Sequence, residues 1–238
     1  MKSIGALIVS AGEPQLERCL QAVYNQTVPF AHVVHIDNIS PEHIAFNQGI
    51  KESVDEWIMK IDGDMILYSN AIEVALFHMV EEPDIFMYSY GLFDEFLQSP
   101  ICGCGVFSKV AFQLVRYPNM LNDDEYSAKK LRRDGWIRKT PIREGVTIGT
   151  HFSEPDEFQV FRRFYATGVK HGRGGTGRRL VQLYEDTGND LYKLASGALL
   201  FGTKERYYPT SHNIHFDREM YNKFKGEVDE NYNFKSTQ

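Results

Sequence analysis

The run Ile4-Gly5-Ala6-Leu7-Ile8-Val9-Ser10 limits the fold more than any other part of the chain. It shows no alternation of apolar and polar residues, so as a strand it must be buried on both faces, as in a parallel sheet covered by helices. Ala11-Gly12-Glu13-Pro14 breaks the run, and Pro14 suits the first turn of a helix. Leu16, Leu20, Val23 and Tyr24 then recur at helical spacing until Thr27-Val28-Pro29 stops them. The cycle repeats. Val33 to Ile36 reads as a strand ending at Asp37-Asn38, followed by a helix from Pro41 to Ser53. Trp57 to Ile61 reads as a third strand, followed by a helix from Asn70 to Val80. This order predicts an α/β architecture, with a mostly parallel central sheet flanked by helices. Ligands of such sheets bind at the carboxyl ends of the strands. Ser10, Gly12 and Glu13, then Asp37, then Asp62-Gly63-Asp64 fall on that rim.

Of these, Asp62-Gly63-Asp64 has the most specific chemistry. Two carboxylates around a glycine can face one hard cation, and oxygen ligands suit Mg²⁺ or Mn²⁺. Asp-Gly is also an ordinary turn dipeptide, so the segment takes its meaning from the other polar strand ends beside it. Bulk charge adds nothing to this. With 26 basic and 32 acidic residues the net charge is -6, which gives no general affinity for nucleic acid or anionic membrane. The 3 cysteines, Cys19, Cys102 and Cys104, are too few for a disulfide framework and favour a reducing compartment. No apolar run reaches the length of a transmembrane helix, so a cytoplasmic location is the expectation.

After Asp84 the pattern changes. Residues 85–90 and 103–107 read as strands, and Lys109 to Arg116 as a helix. Asn122-Asp123-Asp124-Glu125 opens another helix, which runs to Asp134 and stops at Gly135. Its acids suit a helix start, and one of them can also face a cleft as a general base. Val146 to Gly149 reads as a strand ending at Thr150-His151-Phe152, before a helix from Pro155 to Thr167. Residues 170–179, rich in glycine and basic groups, read as a flexible loop, either solvated or closing over phosphates. Helical segments over 180–200 and a polar surface helix with a loose tail from Asp217 complete the chain. The expected division is a nucleotide-binding and catalytic domain over 1–154 and a helical extension over 155–238.

Taken in order, these segments resemble the family 2 glycosyltransferases, which have the GT-A fold, over residues 3 to 168. The resemblance rests on the first strand and helix through Asn25-Gln26-Thr27, on Asn47-Gln48-Gly49, and on Trp57 to Asp64. It continues with Asp123-Asp124 ahead of Lys130 and Gly135-Trp136, with His151-Phe152, and with Gln159, Arg162 and Arg163. Asp37-Asn38-Ile39-Ser40-Pro41 departs from the family's Asp-x-Gly-Ser-x-Asp, and no Gly-Gly-Phe acceptor segment precedes Asp123. The resemblance implies transfer of a sugar from a nucleoside diphosphate sugar, first of all a UDP-sugar, to an acceptor hydroxyl with inversion. It implies Mn²⁺ or Mg²⁺ on Asp64, with Asp62 and His151 completing the metal and ribose contacts. It implies Asp124, with Asp123 beside it, as the base. Ser10, Gly12, Glu13, Asp37 and Asn47 would line the nucleotide pocket, and Lys130, Arg162 and Arg163 would approach phosphate. The acceptor stays open, an anionic polysaccharide or a nucleic acid included. A nucleotidyltransferase and a non-catalytic nucleotide-sugar-binding protein are the alternatives.

Overall fold

The strand β1 (Ile4–Ser10) is buried at every residue, as its composition requires. Parallel neighbours flank it, β2 (Val33–Asp37) on one side and β3 (Trp57–Asp62) on the other. The register pairs Ser10 with Asp37 and Val9 with Asp62, so the three strands finish level. Helices α1 (Leu16–Tyr24) and α2 (Glu42–Glu52) make the crossovers, burying Cys19 and Val23 from one and Ala45, Phe46, Gly49 and Ile50 from the other. The computed structural model describes residues 3–79, 82–121, 123–172 and 174–231. The chain divides into two compact units, Met1–Glu154 and Pro155–Gln238.

In the first unit the sheet runs β2-β1-β3-β6-β5-β8-β4, with β7 beside β5. The further strands are β4 (Met65–Leu67), β5 (Ile85–Asp94), β6 (Ser99–Ser108), β7 (Ile137–Lys139) and β8 (Thr147–His151). Among the described residues 4 strand pairings are parallel and 3 antiparallel, so the sheet is mixed with a parallel majority. The hairpin of β5 and β6 is longer than residues 85–90 and 103–107 suggest. Its extra length lies in residues 91–94, 99–102 and 108, and β6 runs on through Cys102 to Gly105, small residues without β-branched character. Smallness serves packing here: a Cβ on Gly103 would lie 2.8 Å from Leu92 Cδ1, and one on Gly105 would fall on Met87 Cε. Helices α3 (Ala71–His78), α4 (Lys109–Leu114) and α5 (Asp123–Arg133) complete the unit. Val80 and Asn122, at the expected limits of two of these helices, lie outside the described residues.

The second unit packs α6 (Glu157–His171), α7 (Gly174–Thr187), α8 (Asp190–Glu205) and α9 (Ile214–Asn231). The expected flexible loop over 170–179 is not there. Lys170 and His171 end α6, and Gly174 to Arg179 open α7, with Gly172 in a left-handed conformation between them and residue 173 outside the described residues. Burial of Leu180 and Leu183 supports α7, and such packing outweighs the poor helix propensity of its glycines. The surface helix expected from Asp217 is also anchored. Asp217 is fully buried and accepts hydrogen bonds from Arg162 Nε (2.9 Å) and from the Tyr208 hydroxyl. The expected tail from residue 232 onward lies outside the described residues. Among the described residues no helix is long and apolar enough to cross a membrane.

Helices α6 and α8 meet backbone to backbone. A Cβ on Gly168 would fall on the Leu199 carbonyl oxygen, and one on Gly202 on the Tyr165 carbonyl oxygen. Gly202→Ala therefore forces the helices apart and should lower the unfolding free energy by about 1–3 kcal/mol. Gly226, in α9, has no atom of the described residues within 4 Å of its added Cβ. There, alanine should instead add about 0.5–1 kcal/mol through helix propensity. Urea denaturation of the two variants checks the contrast.

Candidate active site

Strand order builds the first part of the site. β8 lies between β5 and β4, and the register sets His151 beside Asp94 on one side and beside Met65 on the other. Asp64 immediately precedes Met65, so Asp94, His151 and Asp64 fall in a row. His151 Nδ1 is 2.9 Å from the Asp94 carboxylate, and Nε2 is 3.4 Å from that of Asp64. Asp94 is fully buried and also accepts from the Leu97 backbone N–H at 2.6 Å, which fixes its carboxylate. A carboxylate behind an imidazole is the usual way to orient a histidine whose other nitrogen faces a metal. The donors of the Asp64 and His151 pair, a carboxylate oxygen and an imidazole nitrogen, fit Mn²⁺ or Mg²⁺. Among the described residues no group of three or more His, Cys, Asp or Glu is arranged to hold a metal ion.

Asp62 has a different partner. Lys60, on the same strand, sets its ammonium 2.8 Å from Glu42 and 3.0 Å from Asp62. Burial alone would lower the Lys60 pKa, but Asp62 and Glu42 outweigh it and hold it well above its ordinary value. Burial raises Asp62 to about 6, with Lys60 opposing the rise. The acid thus expected at both metal and ribose is already paired with an ammonium group.

The two acids of α5 are not equivalent. Asp124 is exposed, whereas Asp123 is 6% exposed. One Asp123 oxygen accepts from the Asp124 backbone N–H at 2.8 Å, and Oδ2 has no hydrogen-bond partner among the described residues. Burial, then repulsion from Glu42, pushes its pKa up to about 7. Tyr117 is buried next to this cluster, and burial also raises its hydroxyl pKa. Both ends of the Asn47 amide hold the Tyr117 backbone, donating to its carbonyl (2.9 Å) and accepting from its N–H (3.0 Å).

On the other side of the rim, Ser10 Oγ donates to Asp37 and lies 2.9 Å from His35 Nε2. Glu13 Oε2 accepts from the Ala11 N–H at 2.6 Å, folding the loop over the turn at Gly63. Gly12, in that loop, has φ +87°, a conformation that favours glycine. Ser10, Gly12, Glu13, Asp37 and Asp62 to Asp64 therefore share one rim, with His151 and Asp123 adding to it. Lys130 is exposed on α5. Arg162, expected at phosphate, is instead engaged by Asp217 inside the helical unit, and Arg163 lies over the Phe164 ring at 5.1 Å.

Asp94, Lys60, Glu42, Tyr117 and Gln15 carry parts of this site that the sequence reading passed over. Lys60 had a signal: a charged residue inside an apolar central strand needs a buried partner. Asp94 becomes meaningful only once the register places it beside His151.

With this geometry the fold is of the expected GT-A type. Among solved structures the chain is similar to a mannosyltransferase from Pyrobaculum calidifontis, in complex with GDP-Man and Mn²⁺. The TM-score is 0.55 at 11% identity, over 85% of this chain and 70% of that one. A weaker likeness, TM-score 0.46 at 9% identity over 84% and 80% of the two chains, is to glucosyl-3-phosphoglycerate synthase from Mycobacterium tuberculosis. Another, TM-score 0.43 at 12% identity over 58% and 86%, is to 4-diphosphocytidyl-2C-methyl-D-erythritol synthase from Anaerococcus prevotii. No protein-family model matches the chain, and no curated protein matches it in sequence.

The Asp123 carboxyl gives a pH test. Its folded pKa of about 7 lies above its ordinary 3.8, so between these values the folded chain keeps a proton that the unfolded chain has released. This contribution favours folding below about pH 4 and is lost as pH rises through about 7. Asp123→Asn removes the penalty of ionising the buried group. At pH 8 it should raise the unfolding free energy by up to about 4 kcal/mol, at about 1.4 kcal/mol for each of the roughly three pKa units, and the gain should shrink towards zero at pH 4. Urea denaturation at both pH values decides; an equal change at each would show that Asp123 does not titrate this way.

Proposed function

We propose that this chain is a metal-dependent, inverting glycosyltransferase that moves a sugar from a nucleoside diphosphate sugar to an acceptor hydroxyl. The observation that carries the reading is the row Asp94, His151 and Asp64 at the end of the Asp-Gly-Asp turn. The GT-A fold supports it, as does the GDP-Man and Mn²⁺ held by the mannosyltransferase of similar fold.

In this reading Asp64 and His151 hold Mn²⁺ or Mg²⁺, and Asp94 keeps the imidazole aimed at it. When bound, the metal neutralises charge that gathers on the leaving diphosphate. Lys60 keeps the Asp62 carboxylate turned to the nucleotide side, where it accepts from ribose hydroxyls. Ser10, Gly12, Glu13 and Asp37 line the base and ribose pocket, for a UDP-sugar first of all. Asn47 acts through Tyr117, whose backbone it grips. Arg162 and Arg163 serve the packing of the helical unit. Asp123 takes the proton of the incoming hydroxyl. Its unpartnered oxygen and its pKa near 7 suit a general base working at neutral pH. Attack on the side opposite the diphosphate inverts the anomeric carbon.

Two measurements test this. Calorimetry should show UDP binding that weakens in EDTA and in Asp64→Ala; equal binding in all three samples removes the metal from the reading. Asp123→Asn should keep donor binding while turnover falls about 10²- to 10⁴-fold. In the unsubstituted protein kcat/KM should rise with pH through about 7, as the base loses its proton. Loss of turnover in Asp124→Asn with normal turnover in Asp123→Asn would move the role of base to Asp124.

A further inference from the structure

The segment that follows His151 is strained. Phe152 and Glu154 have φ of +63° and +54°, in the left-handed region that disfavours residues with a side chain. Such a conformation persists only where its surroundings enforce it. Here several contacts do so. The Phe152 N–H donates to the Asp64 carbonyl at 3.2 Å, and the Phe152 ring packs on Phe96 and stacks on His151. Ser153, between the two strained residues, is fully buried.

A further constraint comes from Gln15, at the opposite end of the first unit's sequence. Gln15 stands just before α1 and is 3% exposed. Its Nε2 donates to the Ser153 carbonyl and, at 2.9 Å, to that of Glu154. It makes no capping bond to its own helix. One buried amide therefore ties the segment after His151 to the loop Ala11 to Pro14, which folds over the Asp-Gly-Asp turn.

We infer that Gln15 is a positioning residue for the metal side of the site: it holds residues 152–154 in their strained path and so keeps His151 between Asp94 and Asp64. Without its two bonds the segment relaxes towards ordinary backbone angles, and the imidazole loses its fixed distance to Asp64. The inference rests on the proposed role of His151, and the test separates the two. Mn²⁺ is titrated into protein saturated with UDP, with free Mn²⁺ read by electron paramagnetic resonance, for the unsubstituted protein, Gln15→Met and His151→Ala. UDP affinity in EDTA is measured alongside.

Methionine keeps the length of the side chain and removes the donor. Gln15→Met should weaken Mn²⁺ binding about 10- to 100-fold, the range for losing a group that orients a metal ligand. UDP affinity in EDTA should stay within about twofold, a split that general loosening of the fold would not give. If Gln15→Met fails to fold, Gln15→Asn, whose amide is one methylene too short to span both carbonyls, takes its place. Mn²⁺ binding unchanged in the Gln15 variant but weakened in His151→Ala overturns the role of Gln15 and leaves that of His151. Mn²⁺ binding unchanged in both overturns both.

Discussion

Charge repulsion is the constraint under which this site is built. Glu13, Asp37, Glu42, Asp62, Asp64 and Asp123 all gather at or near one sheet edge, and Lys60 is the ammonium placed among them. Moving a lysine into a central strand is costly in itself, and two carboxylates at hydrogen-bond distance offset that cost. In return Lys60 lets Glu42 and Asp62 stand close together. Its influence weakens beyond them. Asp123 receives only partial relief, so its burial and its acidic neighbours leave it holding a proton near neutrality. Asp64 faces the imidazole of His151. The acids are thus sorted by their partners: an ammonium for Asp62, an imidazole for Asp64, and a proton for Asp123.

The sheet makes that sorting possible. Parallel strands around β1 bring Ser10, Asp37 and Asp62 to one level, and this half follows from local signals in the chain. An apolar run buried on both faces, a breaker and an amphipathic helix repeat in order, and each repeat ends in a polar residue. The other half depends on pairings between distant segments. Asp94 and His151 are neighbours because β5 and β8 run parallel, which no local pattern in either segment announces. The same holds for Gln15, whose partners lie 138 and 139 residues further along.

The misreadings have a common physical origin. Glycine and charge suggest looseness at residues 170–179, but packing of Leu180 and Leu183 turns most of that stretch into helix. Polarity suggests a surface position for Asp217, but Arg162 and Tyr208 satisfy the carboxylate in the interior. In each case local composition was outweighed by partners supplied from elsewhere in the chain. The pair Asp123 and Asp124 carries the same lesson. The two residues are chemically identical and adjacent, and only the packing of α5 decides which is buried.

Gly63 between the two acids does more than form a turn. A Cβ there would lie 2.8 Å from Glu13 Oε2 and 3.2 Å from Ser10 Cβ, so the loop after β1 rests directly on the turn. The absence of a side chain removes any spacer between the two segments. A displacement of either one is then transmitted to the other, and occupancy at the loop and occupancy at the turn become thermodynamically linked. Such linkage is reciprocal: whatever tightens the first must be tightened by it in equal measure.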